Sequence, residues 1–197
     1  MRIIDISQTL GPNATVFPGD TPFSFDTTEN RESGRVVRVS DLRGGAHVGT
    51  HVDFPAHFSE EHSQFQLETY FGPASVIDAT DLEQICSVNL PPRHRVLLKT
   101  SGQQTDGFDP AYPALSASVV EWLTSQRVAL VGVDSPSVDA ADSQTLDNHH
   151  ALLRANVAIL ENLDLSAAEP GDYTLSAFPI KTLAPDAAWV RAVLIQE

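Results

Sequence analysis

The sequence predicts a single α/β domain over residues 1–197, rich in strands and poor in helices. Three observations carry this. Short runs of alternating or continuous apolar residues, many β-branched, recur along the chain between Gly, Pro and Asp clusters. Only two stretches, 116–126 and 146–156, have a helical pattern. No repeat, low-complexity segment or linker divides the 197 residues, a length within the usual range of one domain.

Taken in order, Ile3, Ile4 and Ile6 predict a first strand that stops at the Gly11-Pro12-Asn13 turn. Phe17-Pro18-Gly19-Asp20-Thr21-Pro22-Phe23 is a stiff loop, with two prolines fixing φ and Gly19 free to take positive values. Its two Phe either wall an aromatic pocket or staple the loop to the core. Residues 36–42 alternate as a strand that Gly44-Gly45 ends. The polar run 59–66 is a loop or short helix. Residues 75–79 and 95–100 are further strands, and 102–112, with Gly, Asp and Pro but no periodicity, is a loop. The clearest helix, 116–126, carries apolar residues at 119, 120, 122 and 123, and Ser118-x-x-Glu121 offers a capping box. It leads into Val128-Ala129-Leu130-Val131-Gly132-Val133, an unbroken apolar run typical of a buried central strand, with Asp134-Ser135-Pro136-Ser137 at its end, where open α/β sheets place functional loops. A short helix at 146–156 bears His149 and His150 near its start. Residues 157–160 form a strand delivering Glu161, and 173–181 and 190–195 are the last two strands.

Chemistry concentrates in His47-Val48-Gly49-Thr50-His51-Val52-Asp53-Phe54-Pro55-Ala56-His57; four of the seven histidines fall between 47 and 62. Imidazole and carboxylate together suit zinc and its first-row neighbours. Gly49, Thr50 and Pro55 oppose a helix. As an extended segment, positions 47, 51, 53 and 57 share one face and Val48, Val52 and Phe54 the other, a ligand face backed by a core face. One such histidine alone is ordinarily a hydrogen-bonded packing residue; three on one face with an Asp between them point to a metal. Two His and one Asp leave an open position, the catalytic rather than the structural zinc pattern.

A net charge of −14 and a sequence pI of about 4.7 argue against nucleic acid or an anionic membrane surface as partner. The one cysteine, Cys86, has no partner for an intramolecular disulfide. Residues 1–7 have no signal-peptide apolar region, and no stretch is long and apolar enough to span a bilayer, so the cytoplasm is the expected compartment.

HVGTHVDFPAH resembles the H-x-G-T-H-x-D-x-P-x-H signature of the metal-dependent cyclase-like hydrolases. The remaining motifs resemble their bacterial kynurenine formamidase (arylformamidase) branch: Phe17-Pro18-Gly19-Asp20-Thr21-Pro22-Phe23, Val133-Asp134-Ser135-Pro136-Ser137-Val138-Asp139, His149-His150-Ala151-Leu152-Leu153 leading to Glu161-Asn162-Leu163, and Phe178-Pro179-Ile180-Lys181 with Val190-Arg191-Ala192. The resemblance implies a swivelling β/β/α cyclase-like fold, which propensity alone does not give, and a homodimer. It also implies two divalent ions per chain, zinc foremost, with manganese and cobalt fitting the same ligands. His47, His51 and Asp53 would hold one ion; Asp53 would bridge to a second held by His149 and Glu161. Residues alone do not rank His149 against His150; the family pattern favours His149. His57 matches the catalytic histidine, and Phe17 stands at a substrate-contacting position commonly occupied by Trp. Trp189 departs from a common Pro.

The implied reaction is hydrolysis of N-formyl-L-kynurenine to L-kynurenine and formate in tryptophan degradation, with metal-bound hydroxide as nucleophile and His57 as general acid/base. The alternatives are a related cyclic-amide hydrolase, such as one acting on isatin, and a metal- or small-ligand-binding protein without turnover.

Overall fold

Four strands of nearly unbroken apolar sequence lie side by side at the centre of the computed structural model, which describes residues 1–31, 36–80, 85–86, 89–103 and 107–196. β5 (Phe71–Asp78), β6 (Arg95–Lys99), β7 (Leu130–Val133) and β8 (Ala158–Glu161) pair in parallel. Successive side chains point to opposite faces, so both faces must be covered. Leu97, Leu130 and Leu160 pack on one side with Ile6, Phe54 and Tyr70. Val96, Leu98, Val131 and Ile159 pack on the other against Trp122, Leu123 and Leu152. This two-sided burial explains why 128–133 carries no alternation.

Antiparallel strands extend the sheet on both flanks: β1 (Arg2–Asp5), β4 (His51–Asp53), β9 (Gly171–Ser176), β10 (Ala187–Trp189) and β11 (Val193–Gln196) complete the order β1-β11-β9-β5-β6-β7-β8-β4-β10. The sheet curls until Ser7, just past β1, bridges Leu163, just past β8. Helices α1 (Ala117–Ser125) and α2 (Asp147–Arg154) cover one face. The strand-rich, mixed α/β architecture matches the expectation from the motifs. Among the described residues, no helix is long and apolar enough to cross a membrane.

Several local expectations are corrected. α1 is capped by Ser116, whose Oγ accepts from the Val119 N–H at 3.4 Å, so the predicted box at Ser118-x-x-Glu121 lies inside the first turn. The strand expected at 173–181 ends at Ser176. Beyond it, Pro179, which has no N–H to give a ladder, makes only an isolated bridge to Val190. The strand expected at 190–195 splits into β10 before it and β11 within it. β2 (Ser24–Asn30) was not foreseen. It pairs with β3 (Val37–Arg43) in a separate hairpin, Phe25 facing Leu42 and Thr28 facing Val39, with both strands exposed throughout.

Candidate metal centre

The centre is built where β4 pairs with β8. Their antiparallel register sets His51 opposite Glu161, and Asp53, two residues on, shares the same face. His51, Asp53 and Glu161 are all buried. Before β4 the chain is not extended as the sequence pattern predicts: 46–50 turns, with Gly49 at φ +69°, and Pro55–His57 is a 3-10 turn. Alternation along a strand therefore accounts only for 51 and 53. The left-handed glycine returns His47 to the point His51 reaches, and the proline-led turn returns His57. Val48, Val52 and Phe54 are buried as expected. Trp189, opposite His51 in β10, donates its indole N–H to the Gly45 carbonyl at 3.0 Å and packs on Phe23, so it supports the loop from below.

The ligand atoms converge. His47 Nδ1 lies 3.1 Å from His51 Nε2 and 3.1 Å from Asp53 Oδ1, and His51 Nε2 lies 3.3 Å from the same oxygen. Ligands ~2.1 Å from a tetrahedral ion stand ~3.4 Å from one another, so this triangle fits one ion. Asp53 Oδ1 is buried without a hydrogen-bond partner, an arrangement a cation satisfies. On the other side, Asp53 Oδ2 is 3.2 Å from His149 Nε2, while Glu161 Oε1 and Oε2 are each 3.6 Å from His149 Nε2 and His51 Nε2 respectively. Both carboxylates thus span the two halves. His149 is buried in the cluster; His150 packs beside Phe58 outside it. His57 keeps more residue exposure than His47, His51 or His149, its ring 4.1 Å from the His47 ring and 5.8 Å from that of His149, and a His57 nitrogen falls within ligand reach of His47 and Asp53.

Without an ion, protons answer this concentration of charge. Burial opposes a charge on His149, but the hydrogen bonds to Asp139 and Asp53 and the charge of Glu161 raise it to about 10. His47, against the same desolvation, is raised to about 9 by Asp53, Glu161 and Asp186. Burial and the adjacent Asp53 charge push Glu161 up to about 7. Asp53, despite its burial, is held well below the usual carboxylate range by the hydrogen bond with His149 and by the imidazoles of His47 and His51 beside it. His57 moves the other way, lowered by burial and by the neighbouring imidazoles beyond what Asp53 restores.

A cavity of about 260 Å³ opens over the cluster, floored by His47, His51, His149 and Glu161. Phe17 lines it, edge-on to Phe108 at 4.9 Å, and Phe108 meets Tyr112. Of the two Phe in the Pro-Gly-Asp loop, Phe17 is the wall and Phe23 the buried staple. Asp20 also lines the cavity, whereas Asp134 accepts from Thr100 and Ser101 and is structural. Asp139, Asp186, Phe108 and Tyr112 were not singled out in the sequence; no spacing rule marks them, because each reaches the site from a loop.

Comparisons with known proteins place the sequence and the fold. A family model described as "Putative cyclase" matches residues 4–140. The chain is 38% identical to kynurenine formamidase of Bacillus cereus, over 97% of this chain and 96% of that one, and 37% identical to kynurenine formamidase of Bordetella avium, over 98% and 97%. Its fold is similar to that of a "potential metal-dependent hydrolase with cyclase activity" (TM-score 0.83, 22% identity, 100% and 98% covered) and to isatin hydrolase A from Ralstonia solanacearum (TM-score 0.77, 22% identity, 99% and 92% covered).

Proposed function

The chain belongs to the cyclase family of metal-dependent hydrolases, and from that premise we propose that it is a kynurenine formamidase, hydrolysing N-formyl-L-kynurenine to L-kynurenine and formate in tryptophan degradation. The observation that carries the proposal is the triangle of half-buried His47, buried His51 and the unpartnered Asp53 oxygen beneath an aromatic-walled cavity, in a chain 38% identical to proteins of that name.

His47, His51 and Asp53 would hold one divalent ion, and Asp53, His149 and Glu161 a second; zinc suits this set best, and manganese or cobalt fits it. Two bound ions would supply Lewis-acid polarisation of the formyl carbonyl and a water of lowered pKa. The protein's own residues do the rest. Phe17 and Phe108 receive the aryl ring and aim the formamide at the cluster floor. His57 is kept largely neutral near pH 7 by its surroundings, so it accepts a proton as water adds to the formyl carbon. It returns that proton to the aniline nitrogen as the C–N bond breaks. His57 is kept outside the ligand set because it matches the family's catalytic histidine; its reach toward His47 and Asp53 alone would admit it.

A homodimer is part of the proposal. An isolated two-stranded ribbon is marginal in water, and the β2–β3 hairpin exposes Phe25, Val37, Val39 and Leu42, which a second copy would cover. The cytoplasm remains the proposed compartment, in keeping with a lone exposed cysteine.

The test follows the absorbance decay of N-formyl-L-kynurenine with purified protein as isolated, after chelation, and after adding zinc or manganese. Chelator-sensitive turnover restored by metal is expected. Absence of turnover from protein carrying two ions per chain would sink the formamidase reading, and a panel including isatin would then identify the substrate.

A further inference from the structure

The outer partners of the three candidate histidine ligands differ. His51 Nδ1 is paired with the Gly49 carbonyl at 2.8 Å. His47 turns Nε2 toward Asp186 Oδ2 at 3.3 Å, but that nitrogen makes no hydrogen bond and Asp186 is 41% exposed. His149 Nδ1 is paired with Asp139 Oδ2 at 2.7 Å, and both residues are buried.

The same Asp139 carboxylate has a second duty. Helix α2 starts from Leu146 in the left-handed region (φ 48°, ψ 48°), without a side-chain cap of its own. Asp139, from the loop after β7, accepts from the Asn148 N–H with Oδ1 at 3.0 Å and from the His149 N–H with Oδ2 at 3.1 Å. It thereby satisfies two of the amide donors left free at the helix start. Its own backbone is fixed: the Tyr112 hydroxyl donates to its carbonyl at 3.0 Å, and its N–H donates to Ser137 Oγ at 3.2 Å. One residue earlier, the Val138 N–H donates to Glu161 Oε1 at 2.8 Å. The 137–139 segment therefore grips both distant ligands at once.

We propose that Asp139 is the positioning residue of the metal centre, a remote helix cap that also fixes the His149 ring with Nδ1 protonated and Nε2 free to ligate. This rests on the reading of His149 as a ligand. It also gives a physical reason for the choice between adjacent histidines: only His149 is reached by the capping carboxylate. Outer-sphere carboxylates on ligating histidines are worth roughly 10–100-fold in metal affinity. Asp186, exposed and unbonded to its histidine, should be worth far less.

The experiment separates the two duties. Asn can still cap a helix but offers one acceptor oxygen and no charge, so it keeps part of the cap and gives up the carboxylate on His149. Zinc affinity is measured by chelator competition, and the melting temperature of the chelated protein alongside it, for wild type, Asp139→Asn, Asp139→Ala and Asp186→Asn. The expected result is Asp139→Asn with an ion-free melting temperature between those of wild type and Asp139→Ala, and zinc affinity lowered about 10–100-fold at one of two ions. Asp139→Ala should lose both stability and affinity, and Asp186→Asn should change affinity by less than Asp139→Asn. Wild-type zinc affinity in Asp139→Asn would reduce Asp139 to a cap and overturn the proposal alone. A wild type that binds no zinc would overturn the metal reading and this proposal together.

Discussion

The two halves of the ligand cluster are made differently. His51, Asp53, His149 and Glu161 come from β4, α2 and β8, are buried, and are held by strand register or by hydrogen bonds from the 137–139 segment. His47 and His57 come from a turn and a 3-10 turn and face the cavity, and His57 is exposed. The core fixes four of the five proposed ligands, and the turns supply the fifth, His47, together with His57, the proposed acid/base group. Rigid elements position ligands precisely enough for a metal, whereas an acid/base group needs access to the reacting atoms.

The most severe break is in the shared half. Asp53→Ala removes the proposed ligand common to both ions and should lower turnover on the order of 10³-fold or more, with metal content reduced. Metal analysis and kcat check it; a variant that retains two ions would contradict the bridging role. In the loop half, His57→Ala should lower kcat by about 10²–10³-fold while zinc per chain stays at the wild-type value. Loss of an ion with His57→Ala would instead make His57 a ligand, as its reach toward His47 and Asp53 allows. Further from the chemistry, Phe17→Ala strips one aromatic wall and should raise KM about tenfold with kcat less affected.

The same division governed what the sequence revealed. The clustering of His47, His51 and Asp53 was legible because three imidazoles around an Asp on one face are hard to explain as packing, and the central strands because two-sided burial leaves an unbroken apolar run. The geometry of 47–57 was not. Period two describes β4 alone, and the convergence of His47 and His57 depends on a left-handed Gly49 and a 3-10 turn that residue types permit but do not specify. β2 was missed because Ser24–Asn30 is polar and buries nothing, so its strand state comes from pairing with β3. Asp139 ended a family-matching stretch, but its role was not legible because its partners lie nine and ten residues away across a loop.

The smallest expected effect is one of pH, and it distinguishes an ion-binding cluster from a packed polar core. His149 at about 10 and His47 at about 9 lie above the ordinary histidine value of 6.5 in the ion-free protein. A raised folded pKa contributes stability that is complete below the unfolded value and is lost as pH rises through the folded one. Glu161 at about 7, against 4.5, acts in the same direction, since ionising it beside Asp53 costs the folded state between those values. Chelated protein should therefore melt at progressively lower temperature from pH 6 to pH 9. With zinc present the sign reverses: the ion competes with those protons, so affinity, and with it the added stability, rises with pH. Melting curves at pH 6, 7.5 and 9, with chelator and with zinc, should diverge as pH increases. Parallel curves would mean that no proton is displaced by the ion, and that His47 and His149 are not its ligands.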